Sequence, residues 1–295
     1  MVQVRLTKLL DTAWPALALV LAAAGVVRLG YVLTLENALN VTFEADPLTY
    51  DQLARNLLAG RPYVGASFYF PAGTENPTAL WDPLYPLFLA GIYALVGHDF
   101  LAVRLVHVVL GVASCGLLYV LGRSIFGPRI GLLGAGFAAI YPFFIYYTGQ
   151  ILTETLFIFL ILTLLTLACA IAQRRIRGAL AVLTLGITAG LAVLTRAEAL
   201  YFAVILIVVL GWWSAPLRTG GMPGWRARVI SLIALVVVFA ATLSPWVGFN
   251  YARFDRLFVT TKLGYNLYKY YHPRMTADQR VRSDDIPLPD LTGLS

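Results

Sequence analysis

The chain alternates long apolar runs with short polar breaks, and the spacing of those breaks predicts a bundle of membrane-crossing helices. The first run covers residues 13–34, and six more follow at 100–121, 130–147, 155–172, 179–195, 199–213 and 229–249. Most approach the roughly 20 residues that a helix needs to traverse a bilayer core. The apolar stretch 83–97 is different: it is short, opens with Pro83 and Pro86, and is aromatic at Tyr85, Phe88 and Tyr93. It reads as an amphipathic or interfacial helix lying on the outer surface.

The basic residues set the direction of the bundle. Arg5, Lys8, Arg123, Arg129, Arg174, Arg175, Arg177, Arg218, Arg226 and Arg228 fall on one side, against the single acid Asp11. Positive charge marks the cytoplasmic side, which predicts seven crossings, a cytoplasmic N-terminus and an extracytoplasmic C-terminus. Counting 83–97 as a crossing would turn the later arginine-rich loops outward. The sequence Ala22-Ala23-Ala24-Gly25 resembles a signal-peptide cleavage site, but apolar character resumes from Val26 to Leu33, so an uncleaved anchor is preferred. Arg28 within that first run must face protein or an aqueous cavity.

Composition agrees and excludes other classes. With 59% apolar and 13% charged residues and a mean hydropathy of +0.77, a water-soluble globule is ruled out. A net charge of +7 raises nucleic acid as a partner. The basic residues are scattered, however, with no interleaved aromatics, so no nucleic acid is expected. Cys115 and Cys169 lie in apolar runs, where a free thiol behaves as a small hydrophobe.

The expected architecture is therefore an all-α polytopic membrane module over residues 1–250, whose first outer loop, 35–99, carries juxtamembrane helices. A tail, 251–295, follows outside. A short strand is expected near Phe258, and the proline- and aspartate-rich end reads as disordered.

The chemistry concentrates in the first outer loop. Glu36, Glu44, Asp46, Asp51, Glu75 and Asp82 stand there with only Arg55 and Arg61. The sequence has no phosphate loop, HExxH, CxxC or Gly-x-Ser-x-Gly motif, and His98, His107 and His272 are too dispersed for a histidine metal site. A carboxylate at the membrane boundary can act as general base toward a hydroxyl or amine, and an arginine can hold a lipid phosphate.

Asp46-Pro47-Leu48-Thr49-Tyr50, the stretch from Leu53 to Gly60, Pro83 to Leu89, Gly97, Arg104-Leu105, Tyr141-Pro142, Thr153-Glu154 and Leu194-Thr195-Arg196 occur in an order that resembles the GT-C integral membrane glycosyltransferases. The nearest branch groups protein O-mannosyltransferases with the aminoarabinose transferase of lipid A, glycosyltransferase family 39. The resemblance runs from about residue 13 to 270. It implies inverting transfer of a sugar from a polyprenyl-phosphate carrier to a lipid, glycan or protein acceptor at the outer face of the cell membrane. It assigns Asp46 as general base, with Tyr50 at the family spacing, and Glu154 to the second acidic position. Asp82 lies near an acid that relatives carry before a proline pair. Ser244-Pro245-Trp246 and Asn250-Tyr251 match a signature in which Phe249 stands where an arginine is common. Relatives continue further, so a minimal catalytic module, a truncated chain or a half that needs a partner subunit is expected.

Plainer roles stand beside these. Asp46 before Pro47 suits a helix cap, and Glu44 is the rival base. Glu154 suits a structural pair with Arg196, and Asp82 a turn. Arg196, Arg104 and Arg61 are candidates for the carrier's phosphate; the first two also suit snorkelling or pairing with Glu198 and Asp99. Lys262 opens what reads as the next outer loop and is a further candidate substrate contact. His98 and His107 read as solvent-facing and packing residues, and Trp212-Trp213 as an interfacial belt. Asp46, Asp82 and Glu154 are candidate ligands should a divalent cation such as Mg or Mn take part. A transporter or flippase, and a non-catalytic subunit of a glycan-assembly complex, are the alternatives.

Overall fold

The computed structural model describes residues 2–39, 46–64, 79–214, 216–217, 224–262, 264 and 267. They form α1 (Val2–Leu33), α2 (Asp46–Leu58), α3 (Leu84–Val96), α4 (Phe100–Phe126), α5 (Pro128–Ile140), α6 (Pro142–Gly149), α7 (Glu154–Ala172), α8 (Gly178–Thr195), α9 (Ala199–Val209), a π-helical turn Leu210–Ser214, and α10 (Gly224–Phe254). No strand occurs among the described residues. Among the described residues five helical segments are long and apolar enough to cross a membrane: Trp14–Leu33, Phe100–Phe126, Glu154–Ala172, Gly178–Thr195 and Gly224–Phe254. The chain is a multi-pass membrane protein.

The run read as a third crossing, 130–147, is two helices. α5 and α6 meet at a bend of 51° and make a sixth span if taken together. Pro142 causes the break, because the residue before a proline is pushed out of the helical region; Tyr141 sits at φ −67, ψ 119. The proline also lacks the N–H that would have capped the carbonyl of Ala138. Arg28 answers that deficit from α1, donating to the carbonyls of Ala138 and Ala139 at 2.9 Å and of Ala24 at 3.2 Å. Its side chain is wholly buried, so the cation in the first span faces protein. Orphan carbonyls at membrane depth need such a donor.

The stretch Ala199–Ser214 is shorter than the five long spans, yet it runs antiparallel to α8 over the same distance. Near its start, the Ala197 N–H donates to Asp82 beside the end of α8. Beyond its end, the Pro216 carbonyl accepts from the N–H of Gly178, the first residue of α8, at 2.9 Å.

Helices in lipid associate through close packing more than through the hydrophobic effect. α8 and α10 approach through Gly186 and Gly190, one turn apart; a Cβ on either would meet Val238 at 2.7 Å or Thr242 at 2.5 Å. α4 and α5 approach equally closely, the glycine Gly131 lying against the backbone of Tyr119 and Arg123. The largest buried cluster joins α7, α8, α9 and α10 to α2 and α3 through Leu53, Tyr85, Leu89, Leu164, Leu185, Ala203 and Leu235. The two short helices thus lie against the ends of the long ones.

The expected strand near Phe258 does not form. The carbonyls of Phe258 and Val259 are taken instead by side chains of α10, the Asn250 amide at 3.0 Å and the Trp246 indole at 2.7 Å. A strand needs a partner edge for its ladder, and none is beside it among the described residues. The expected disordered end of the tail, like Glu44 and Glu75, lies outside the described residues.

Candidate active site

The site lies where α7 begins and α8 ends. Glu154 is the first residue of α7, where the positive end of the helix dipole favours a carboxylate. Arg196 caps the C-terminus of α8, where a cation is favoured. The two meet at 2.8 Å, with about a quarter of each side chain exposed. Thr153 bridges them, donating to Glu154 Oε2 and accepting from Arg196 Nη1, both at 3.3 Å. Glu198 lies 3.9 Å from Arg196 on the other side.

Asp46 opens α2 across from this pair, and its Oδ1 accepts the indole N–H of Trp81 at 3.3 Å. One turn along, Tyr50 is buried, with its ring 5.1 Å from that of Tyr85 in an edge-on arrangement. Its phenol titrates well above the ordinary range: burial is the main cause, and the charges of Asp46, Asp82 and Glu154 add to it, while Arg196 opposes them. Tyr50 is thus a neutral phenol in contact with the fields of all three acids and of the arginine.

Asp82 is 3% exposed. Its Oδ2 accepts the N–H of Ala197 at 3.1 Å, and its Oδ1 has no hydrogen-bond partner among the described residues. Burial pushes its pKa up to about 7, and the Glu198 charge adds to the rise. The Ala197 N–H, the Lys262 cation and the Thr260 hydroxyl hold it back. A group poised near neutrality at a polar mouth is suited to exchange protons.

Two sets of contacts fix this geometry. Asp51, on α2, is buried and accepts from Tyr93 Oη at 3.0 Å, Arg55 Nε at 2.9 Å and His98 Nε2 at 2.7 Å. It ties α2 to α3 and to the turn before α4. Arg104 secures the start of the first loop, donating to the carbonyls of Gly149, Glu36 and Ala38 at 2.9, 2.6 and 2.7 Å.

On the opposite flank, the Trp246 and Asn250 side chains hold Phe258 and Val259. The next residues cross to the first loop, where Thr261 N–H donates to the Ala79 carbonyl at 3.2 Å. That crossing brings Lys262 to Asp82. Tyr63 closes the corner: its hydroxyl donates to the Trp81 carbonyl at 3.2 Å, and its ring meets Trp246 edge-on at 5.2 Å.

Of the residues singled out in the sequence, Asp46, Tyr50, Asp82, Glu154, Arg196 and Lys262 are brought together. Glu44 lies outside the described residues. Arg61 is exposed and, among the described residues, makes only a backbone bond, N–H to Asn56 C=O at 2.8 Å. Arg104 is buried as a clamp on backbone carbonyls rather than presented to solvent. His98 is partnered by Asp51 instead of being simply solvent-facing, and His107 is buried beside Tyr85 and Phe88. Among the described residues no set of three or more His, Cys, Asp or Glu is placed to hold a metal ion. Sequence reasoning gave no role to Trp81, Thr153 and Asp51; the i, i+4 spacing of Asp51 and Arg55 was the available signal.

No curated protein matches the chain. The family profile described as dolichyl-phosphate-mannose-protein mannosyltransferase matches residues 76–247, more than half of the sequence, including Asp82, Glu154, Arg196 and Trp246. With its helical membrane bundle and its acids gathered at one mouth, the chain belongs to this family of GT-C membrane glycosyltransferases.

Proposed function

We propose that the chain transfers a sugar from a polyprenyl-phosphate carrier to an acceptor at the outer membrane face, with inversion, and that Asp46 is the general base. The observation that carries this reading is the gathering of Asp46, Asp82 and Glu154 around the buried Tyr50, with Arg196 at the edge. In the proposed step, the Asp46 carboxylate takes the proton of an acceptor hydroxyl or amine as that atom attacks the anomeric carbon. The bond from that carbon to the phosphate oxygen breaks, and the carrier phosphate leaves with the bonding electrons. Attack opposite the leaving group inverts the centre.

Arg196 is suited to the leaving phosphate because a guanidinium presents a planar fork of donors. Glu154 holds that fork in place, and Tyr50 supplies a neutral O–H where an ionised phenol would repel the phosphate. Trp81 orients the Asp46 carboxylate through Oδ1. Lys262 and Asp82 belong to the acceptor side in this reading.

The test is transfer by the purified chain in nanodiscs from a panel of polyprenyl-phosphate sugars. Wild type should be active with at least one donor, and Asp46→Asn should fall by about 10³-fold while folded. Export of a lipid-linked sugar without transfer would favour a flippase. Restoration of transfer only by a second protein would favour the assembly-subunit reading.

A further inference from the structure

At the other end of the same helices, away from the acids, is a cavity of about 390 Å³ lined by Trp14, Tyr119, Val120, Arg123, Ser124 and Arg175. Three elements build it: the start of the apolar part of α1, the last two turns of α4, and the turn after α7. No acid lines it. The Arg123 guanidinium stands 5.7 Å from the Trp14 ring and 6.0 Å from the Tyr119 ring, and it forms no hydrogen bond or ion pair among the described residues. Among the described residues the Arg175 guanidinium donates only to Ser124 Oγ, at 3.3 Å. Tyr119 is 1% exposed, and its hydroxyl has no hydrogen-bond partner among the described residues.

The turn that delivers Arg175 is held in an unfavourable conformation. α7 closes with the Arg174 N–H on the Ile171 carbonyl and the Arg175 N–H on the Ala170 carbonyl, both at about 2.9 Å, the pattern in which the residue after the cap is ordinarily glycine. Here that residue is Arg174, at φ 60. A left-handed backbone is unfavourable for a residue with a Cβ. Gln173 fastens the turn to α4, donating to the Ser124 carbonyl at 2.9 Å.

We propose that this cavity binds the headgroup phosphate of an anionic membrane lipid, held by Arg123, Arg175 and the Tyr119 hydroxyl. Two guanidiniums without a carboxylate partner among the described residues provide the charge and directed donors that a phosphate requires. A buried hydroxyl lacking a partner gains one when an anionic oxygen enters. The rim decides between a lipid and free phosphate. Trp14 and Val120 are exposed apolar residues at the ends of membrane spans, where acyl chains continue from a headgroup and tryptophan sits at the interface. The inference is independent of the transferase reading, since no residue of the acidic site takes part.

The test uses native mass spectrometry of the full chain released from detergent containing equal phosphatidylglycerol and phosphatidylcholine. Wild type should retain phosphatidylglycerol selectively. Arg123→Gln/Arg175→Gln should retain about tenfold less, with phosphatidylcholine unchanged. Tyr119→Phe should lose about threefold, and Arg175→Gln alone, altering an exposed side chain, gives a readout if the double variant does not fold. Equal retention of phosphatidylglycerol by wild type and Arg175→Gln would overturn the proposal. Displacement of the lipid by millimolar inorganic phosphate would overturn the lipid assignment in favour of a soluble phosphate.

Discussion

Glu154 and Arg196 face each other at 2.8 Å across the gap between the start of one span and the end of the next. Each sits where its helix dipole favours its charge. Because both keep about a quarter of their side-chain surface exposed, the pair is open to solvent rather than a sealed bridge.

This pairing predicts coupled losses. Glu154→Gln and Arg196→Gln should each reduce transfer by about 10²-fold, and the double variant should be far less than additive, with a coupling of about 1–3 kcal/mol in the activation free energy. Arg196→Lys should recover only part of the rate, since an ammonium lacks the planar fork. Additive losses in the cycle would mean that the two side chains act separately.

Asp82 predicts a pH dependence of stability. Its carboxyl is raised to about 7 in the folded chain, against about 3.9 when unfolded. Below pH 4 both states hold the proton and the contribution is complete. As pH rises from 4 to 7 the unfolded chain releases its proton and the folded chain keeps it, so stability falls by up to about 1.4 kcal/mol per pH unit, then levels off. Asp82→Asn should flatten that slope in thermal unfolding measured between pH 4 and 8. An unchanged slope would assign the dependence to another group.

The tail strap predicts an effect at a distance. Asn250 sits on α10 and holds Phe258 at 3.0 Å, which leads on to Lys262 beside Asp82. Asn250→Ala should raise KM for the acceptor about tenfold with a smaller change in kcat, and Lys262→Ala should do the same. Little further loss is expected when the two are combined. A drop in kcat alone would argue against positioning.

The close approach of α8 and α10 predicts a packing defect. At Gly190 a Cβ would fall 2.5 Å from Thr242, so Gly190→Val must separate the helices and should destabilise the protein by about 1–3 kcal/mol. Gly190→Val with Thr242→Ala should regain part of the lost thermal stability.

The helical membrane bundle was legible because apolar runs of spanning length are a direct consequence of the bilayer. The acids at positions 46 and 82 stood out because carboxylates are rare elsewhere in the first half of the chain, and Glu154 because it lies between apolar spans. The break at Pro142 was in plain view but lay inside a continuous apolar run, and only the orphan carbonyls met by Arg28 reveal how the break is tolerated. Arg104 looked like a phosphate ligand because sequence gives its depth and not its partners. Three backbone carbonyls from distant positions occupy it. Asp51 was counted among the loop's acids but given no role for the same reason: Tyr93 and His98 reach it from more than 40 residues away. The strand expected near Phe258 followed local propensity, which the side chains of Trp246 and Asn250 override.

The central claim is that Asp46 takes the acceptor proton, and the most direct measurement is single-turnover sugar transfer by wild type and Asp46→Asn in nanodiscs, with folding checked by thermal unfolding. The account predicts a loss of about 10³-fold in the chemical step, with donor binding retained within a few fold. A folded Asp46→Asn protein that transfers sugar at the wild-type rate would contradict it.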